Sequence, residues 1–264
     1  MNITFYGYNS FVIESGDKKL AIDPGALFLY YFRLTTLIPK PEWSEMTHIF
    51  VTHGDPDHYW HTDRVADASQ APVICNTKMV RQINGTSLML GPRDKGLAFT
   101  TPMKRIQPIS VDETIQLDGM SITGLKATHG PLTLKLGPFS KTVHPGPEER
   151  IGWGAIGFAI QLHGKTLVNL GDTLLHLDEW ASIKNPDVLM IPIGGKAAHN
   201  TMDEEDALQA VKMMKPKLVI PCHYNCPAFF SKKFNPADDT MFKHAVEQTG
   251  AKCVILHEGE SVKV

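Results

Sequence analysis

The stretch Val51-Thr52-His53-Gly54-Asp55-Pro56-Asp57-His58 sets four metal-competent side chains within six positions. It follows His48–Thr52, a run apolar enough to read as a buried strand. Gly54 and Pro56 continue neither a strand nor a helix comfortably, so a tight loop is expected here. A loop can turn side chains at i, i+2, i+4 and i+5 toward one point, where a regular element could not. Imidazole nitrogen and carboxylate oxygen together suit zinc, manganese or iron. A polar, solvated loop is the ordinary alternative, and the rest of the chain has to decide between them.

Three more residues of the same chemistry stand at the ends of apolar runs. His129 closes Leu125-Lys126-Ala127-Thr128, Asp172 closes Val168-Asn169-Leu170-Gly171, and His223 closes Val219-Ile220-Pro221-Cys222. A sheet holds the side chains at its strand ends rigidly, which is where sites form in α/β folds. Taken singly, each has a structural explanation, as a hydrogen-bonded histidine or a helix cap. Four such residues in the His53–His58 loop and three behind it favour one shared metal site.

The surrounding pattern gives the fold class. Ile3–Tyr6, Phe11–Glu14 and Lys19–Ile22 read as short strands separated by turn residues, and Asp23-Pro24-Gly25 ends the third. His48–Thr52 and Pro72–Cys75 read as strands with a helix after each. Lys104–Ile109, Thr114–Leu117, Met120–Ala127, Ile156–Leu162 and Thr166–Leu170 continue the β pattern. The segment from Ala26 to Met46 is expected to form a loop or short helix over one end of the fold, as a lid. Gly130 to Gly154, rich in Gly and Pro, reads as a long surface loop.

Strand and helix then alternate clearly. Val188–Pro192, Lys217–Pro221 and Lys252–Leu256 are expected strands, and Ala237–Gln248 an expected helix. Thr201-Met202-Asp203-Glu204 has the spelling of a capping box before a helix with Ala207, Leu208, Val211 and Met214 on one face. β blocks followed by strand–helix alternation, in both halves, predict two mixed β-sheets face to face with helices outside.

The sequence resembles the metallo-β-lactamase superfamily, whose loop reads H-x-H-x-D-H followed by a later His, Asp and His. Thr4-Phe5-x-Gly-x-x-Ser10-Phe11-x-Ile13-Glu14, Ala21-Ile22-Asp23-Pro24 and Gly171-Asp172-Thr173 carry the likeness. Pro192-Ile193-Gly194-Gly195, Thr201-Met202-Asp203 and Lys215–Asn225 resemble one branch, the metal-dependent hydrolases related to ascorbate-6-phosphate lactonases. The resemblance implies an αββα sandwich forming a single domain over residues 1–264. It implies two divalent ions, zinc, manganese or iron. One would be held by His53, Asp55 and His129 and the other by Asp57, His58 and His223, with Asp172 between them.

Such a pair activates water for attack on a carbonyl or phosphoryl group, with Asp57 as the proton acceptor. Asp55 departs from the pattern, which has His there. A carboxylate makes that half of the site harder and more anionic, shifting the expectation toward manganese or iron. It is also similar to the acidic sites of the superfamily's diiron flavoproteins.

Asp23 is a candidate partner for a ligand histidine or simply a turn residue before Pro24. His199, ahead of a helix, is a candidate acid or substrate contact, and equally a surface histidine. Tyr224 is a candidate pocket residue. Lys135, Lys141, His144 and Arg150 could receive an anionic group or face solvent.

Composition bounds the partners. The 264 residues carry 26 Lys+Arg against 28 Asp+Glu, a net charge of -2, without the basic excess of a nucleic-acid binder. No stretch approaches the ~18 apolar residues of a membrane span, and Met1–Phe5 lacks the basic start of a secretory signal. The four cysteines, without C-x-x-C spacing, are expected to be reduced thiols in a cytoplasm. A small-molecule substrate is the expected partner, and a homo-oligomer is compatible. The leading expectation is hydrolysis of a lactone, ester, amide or phosphodiester. A nuclease of the same fold and a diiron oxygen or nitric oxide reductase are the alternatives.

Overall fold

Runs of four or five residues between turns give short strands, and most of this chain is built from them. The computed structural model describes residues 1–26, 43–59, 62–83, 86–89, 105–136, 139–145, 151–227 and 233–264. The first half supplies β1 (Asn2–Phe5), β2 (Phe11–Ser15), β3 (Lys18–Ile22) and β4 (His48–Val51). A single helical turn, α1 (Pro56–Tyr59), and α2 (Thr62–Ser69) lead to β5 (Val73–Asn76). Among the described residues, β6 (Val80–Ile83) and β7 (Thr86–Met89) pair only with each other, ahead of β8 (Ile106–Ile109).

The second half supplies β9 (Thr114–Leu117), β10 (Met120–Lys126), β11 (Leu132–Leu136), β12 (Phe139–Val143), β13 (Ile156–Leu162), β14 (Lys165–Asn169) and β15 (Val188–Pro192). Then come α3 (Gly195–Ala198), α4 (Glu204–Met214), β16 (Leu218–Cys222), α5 (Asp239–Glu247), β17 (Lys252–Cys253) and β18 (Ser261–Lys263).

Two seven-stranded mixed sheets result, ordered β18-β1-β2-β3-β4-β5-β8 and β17-β16-β15-β14-β13-β10-β9. The first is antiparallel from β18 to β3 and parallel from β3 to β8. The second is parallel from β17 to β14 and antiparallel from β14 to β9. Alternate side chains make the layer between them: Ile13, Ile22, Phe50 and Ile74 from the first sheet meet Ile122, Phe158, Leu167 and Ile220 from the second. Phe50 and Phe158 touch edge to face, ring centres 5.3 Å apart.

The other faces are covered as well. Val65 and Tyr59 pack under Val51 and Val73, and the apolar stripes of α4 and α5 (Ala207, Val211, Phe242, Val246) cover Leu189, Ile191 and Val219. Helix, sheet, sheet and helix are therefore stacked as an αββα sandwich.

Four local expectations are corrected. The stretch read as one long loop from Gly130 to Gly154 contains the β11–β12 hairpin, in which Leu132, Leu134 and Leu136 alternate with Thr133 and Lys135 at strand period. After β5 the chain makes a 3-10 turn, Thr77–Met79, and the β6–β7 hairpin instead of a helix. The cap of α4 is Asp203, whose side chain accepts from the Glu205 and Asp206 amides, both at 3.0 Å. Thr201 is thereby free for another task. The last expected strand is only Lys252–Cys253 long. The proposed lid between Ala26 and Met46 lies largely outside the described residues. All four cysteines are free and buried.

Candidate metal centre

β4 is buried along its whole length and delivers Thr52 and His53 to the end of the first sheet. The Gly54 amide donates to the Trp153 carbonyl at 3.0 Å, and Ile156 donates to the Thr52 carbonyl at 2.9 Å, tying this turn to the segment entering β13. The Asp55 carbonyl then accepts from the His58 and Tyr59 amides at 3.0 and 2.8 Å. Asp57 and His58 therefore sit on a helical turn, α1, and not in the open loop expected. Proline resists a helix interior but suits its first position, where its missing N–H would have had no partner.

The second sheet supplies the rest. His129 stands just beyond β10, Asp172 beyond β14, and His223 directly after β16. Thr201 finds its role here: its hydroxyl donates to the Thr173 carbonyl and accepts from the Thr173 amide, both at 3.2 Å, bracing the residue next to Asp172.

All seven metal-competent residues converge. Three sets have ligand atoms mutually within 4.8 Å: His53, Asp55 and His129; Asp57, His58 and His223; and His53, His58 and Asp172. Nε2 of His53 and of His129 lie 3.4 and 3.6 Å from Asp55 Oδ2. Nε2 of His58 and of His223 lie 3.3 and 3.2 Å from Asp57 Oδ2. Asp172 Oδ2 stands between the sets, 3.0 Å from His223, 3.6 Å from His58 and 3.8 Å from His129. Each half thus holds two imidazoles and one carboxylate, with a further carboxylate shared.

The residues fit divalent ions on two further grounds. Nε2 of His53, Nε2 of His58 and Oδ1 of Asp172 are buried, and none has a hydrogen-bond partner among the described residues, an unfavourable state unless something else occupies that space. The charges are also mutually dependent. Burial alone would raise the carboxyls of Asp57 and Asp172, yet the facing His58 and His223 hold both below their ordinary value. Burial would lower His58 and His223, but the carboxylates push His58 well up and His223 to about 9. At His129 burial prevails and the imidazole is held below its usual value. The imidazoles and carboxylates thus depend on each other's charge, as a set of ligands to cations would.

All four candidate ligand histidines have a polar partner at Nδ1, and at His53, His58 and His129 that partner leaves Nε2 directed to the centre. His58 Nδ1–H donates to Asp23 Oδ2 at 2.7 Å. Thr52 Oγ1 donates to the same oxygen at 2.6 Å and takes His53 Nδ1 at 3.1 Å. His129 Nδ1–H donates to the Gly130 carbonyl at 2.6 Å. Asn235 Nδ2 donates to His223 Nδ1 at 2.9 Å; with the amide turned, Asn235 Oδ1, which has no other partner among the described residues, would accept the Nδ1 proton and leave Nε2 free for a metal.

Asp23, fully buried, is therefore in contact with a ligand histidine. Tyr224 is not: it bonds Asp239 and packs on the helical side of the second sheet. The tyrosine beside the centre is Tyr8, whose ring stands edge-on to His223 at 5.4 Å. His199 is exposed, while its backbone abuts Gly130, the neighbour of His129. Lys141 and His144 are exposed on and beyond β12, and Arg150 lies outside the described residues. Tyr8, Asn9, Asn169 and Asn235 were missed in the sequence. The Gly7-Tyr8-Asn9-Ser10 turn was the available signal for two of them, and Asn235 carried none.

The profile of the β-lactamase superfamily domain matches residues 2–223. This chain belongs to that superfamily. A UPF0173 metal-dependent hydrolase of Pelotomaculum thermopropionicum is 33% identical over 267 residues, covering 100% of both chains. Among solved structures, a metallo hydrolase of the archaeon Ignicoccus hospitalis superposes with a TM-score of 0.71 at 24% identity, over 99% of this chain and 97% of that one. The diiron β-hydroxylase CmlA of Streptomyces venezuelae superposes with a TM-score of 0.65 at 13% identity, over 100% of this chain and 54% of that one. The two structural likenesses bear on the fold. With its relatives and its histidine–carboxylate cluster, the protein is a metal-dependent hydrolase of the metallo-β-lactamase fold. No helix among the described residues is long and apolar enough to cross a membrane.

Proposed function

We propose that this hydrolase cleaves a small-molecule acyl or phosphoryl bond at a dinuclear centre, with a lactone or other carboxylic ester as its first substrate class. The observation that carries this is the pair of sets, each of two imidazoles and one carboxylate, that meet at Asp172. Two bound divalent ions would supply activated water near neutral pH and a Lewis acid for the substrate oxygen. The side chains of the chain do the rest. Asp57 is the most accessible of the three acidic ligands, its side chain 21% exposed against 12% for Asp55 and 1% for Asp172. It is the group placed to accept a proton at the mouth. His199, exposed beside the Gly130 backbone, is the candidate substrate contact or acid.

Asp55 bears on both metal and substrate. With it, three carboxylates oppose two divalent ions, leaving a centre less cationic than a version with histidine at that position. That favours manganese or iron over zinc, and neutral carbonyl substrates over phosphodiesters. The near-neutral net charge of -2 points away from a nuclease in the same direction. The lactonase-related branch, within one cytoplasmic domain, is the family context we favour. An acidic diiron centre for oxygen or nitric oxide chemistry is the second reading, and Asp55 is the observation that favours it.

Protein stripped with a chelator and reloaded with Mn2+, Fe2+ or Zn2+ should be assayed on lactones, esters, amides and phosphodiesters. Restored hydrolysis of carbonyl substrates, greatest with Mn2+ or Fe2+, is the expected result. Turnover of none of these with any metal would overturn the proposal, and iron-dependent oxygen consumption would favour the second reading.

A further inference from the structure

Between the two sheets, below the ligands, lies a carboxamide pair that no ligand set includes. Asn9, from the turn between β1 and β2, is 1% exposed, and Asn169, the last residue of β14, is fully buried. Asn9 Nδ2 donates to Asn169 Oδ1 at 3.1 Å, and Asn169 Nδ2 returns the bond to Asn9 Oδ1 at 3.0 Å. The second Asn9 N–H goes to Asp23 Oδ2 at 2.7 Å, and its oxygen also accepts from the Cys222 thiol at 3.3 Å. Both donors and both acceptor sites of one amide are therefore used. A flipped amide would set its oxygen against the Asp23 carboxylate, so the orientation is determined.

Each of these bonds leads to a different part of the metal centre. Asp23 is the acceptor for His58 Nδ1. Asn169 Oδ1 also takes the Gly171 amide at 3.0 Å, at a residue with φ of 62°, and so closes the turn that presents Asp172. Cys222 directly precedes His223, whose own amide donates to the Tyr8 carbonyl at 2.8 Å. Asn9 is thus the only residue among those described that bonds the supports of His58, Asp172 and His223 together. It does so across the gap between the sheets.

We infer that Asn9, paired with Asn169, is a positioning residue that sets the spacing between the His58–Asp57 edge of the centre and its Asp172–His223 edge. The inference rests on the metal reading above and concerns a residue that touches neither ion nor substrate. Few side chains can replace it. Serine offers one donor where two are used, alanine none, and aspartate would bring a second carboxylate against Asp23 in a buried site.

The test uses the full-length protein stripped of metal and titrated with Co2+, whose visible absorption reports coordination geometry. Asn9→Ala should weaken Co2+ binding about 10- to 100-fold and alter the band intensities, while far-ultraviolet circular dichroism is unchanged. Asn9→Asp should be worse than Asn9→Ala, because it adds a buried charge. Asn169→Ala combined with Asn9→Ala should lose little more than either alone, as expected of one unit.

If Asn9→Ala fails to fold, Asn9→Ser and Asn169→Ala carry the same prediction. A lowered melting temperature with wild-type Co2+ affinity and spectrum would mean that the pair only stabilises the fold, and would overturn the inference. Absence of Co2+ binding by the wild-type protein would instead overturn the metal reading on which it rests.

Discussion

The Asp23 carboxylate accepts the Nδ1 proton of His58 at 2.7 Å, with neither residue exposed. The same carboxylate also accepts the Thr52 amide at 2.7 Å and the Thr52 hydroxyl at 2.6 Å. These donors fix the carboxylate in place, and its bond to Nδ1 leaves His58 Nε2 as the nitrogen facing the centre.

Removing this support should affect metal before fold. Asp23→Ala is expected to weaken metal binding about 10- to 100-fold and to lower turnover in parallel. Metal affinity by competitive chelation measures the first, and wild-type affinity in the variant would refute the role. The nearby Asp57→Ala and His58→Ala changes, which delete ligands, should abolish both metal retention and activity with the fold intact by circular dichroism.

The other half of the centre depends on a glycine. Gly152 has φ of 62°, its amide donates to Asp55 Oδ1 at 3.0 Å, and a Cβ there would lie 2.2 Å from the His129 Cβ. Gly152→Ala must displace His129 or the backbone that holds Asp55, since the conformation is also strained for alanine. The expected outcome is loss of the ion held by His53, Asp55 and His129 with retention of the other. Elemental analysis would then count about one ion where the proposed dinuclear centre of the wild type would hold two. An unchanged count would show the two sets to be independent of this contact.

On the proposed reading, Asp55 would set the metal preference of its half of the centre. Asp55→His should shift relative affinity toward Zn2+ and away from Mn2+, because imidazole is the softer ligand. Competition between the two metals, read by elemental analysis, checks this. A preference unmoved by the change would leave Asp55 without that role.

The seven metal-competent side chains that converge were legible in the sequence because metal chemistry restricts residue type, and strand ends restrict where such residues are useful. The strands were legible for a similar reason: β15 and β16 are apolar throughout, as buried parallel strands must be. What could not be read are pairings between distant segments. Asn9 and Asn169 are 160 positions apart; the Gly7–Ser10 turn marks Asn9 as a turn residue, but nothing local to either links it to the other. The β11–β12 hairpin was obscured by Gly and Pro residues around it, although Leu132, Leu134 and Leu136 carried the period of two. Pro56 misled because its cost to a helix depends on whether it stands at the first position or inside.

Far from the histidine–carboxylate cluster, His48 carries a pH dependence. It is buried, with Nδ1 3.0 Å from the Thr47 hydroxyl and Nε2 3.1 Å from Asp118 at the β9–β10 turn. Burial lowers its pKa, and Asp118 only partly restores it. A folded value below the unfolded value of about 6.5 means that the unfolded chain takes up the proton first. This contribution to stability is complete above about pH 6.5 and is lost as pH falls through the folded value. Urea midpoints of the wild type and His48→Gln should therefore converge between about pH 7 and pH 5. A gap between them that stays constant over that range would contradict the assignment.

The proposed function requires two ions that share Asp172, and electron paramagnetic resonance on protein titrated with Mn2+ would detect such a pair. Two ions roughly 3.5–4 Å apart should give two binding equivalents per chain and the multiline spectrum of an exchange-coupled pair. The coupling should be lost in Asp172→Ala. A single equivalent, or two with the spectrum of isolated Mn2+, would contradict the account.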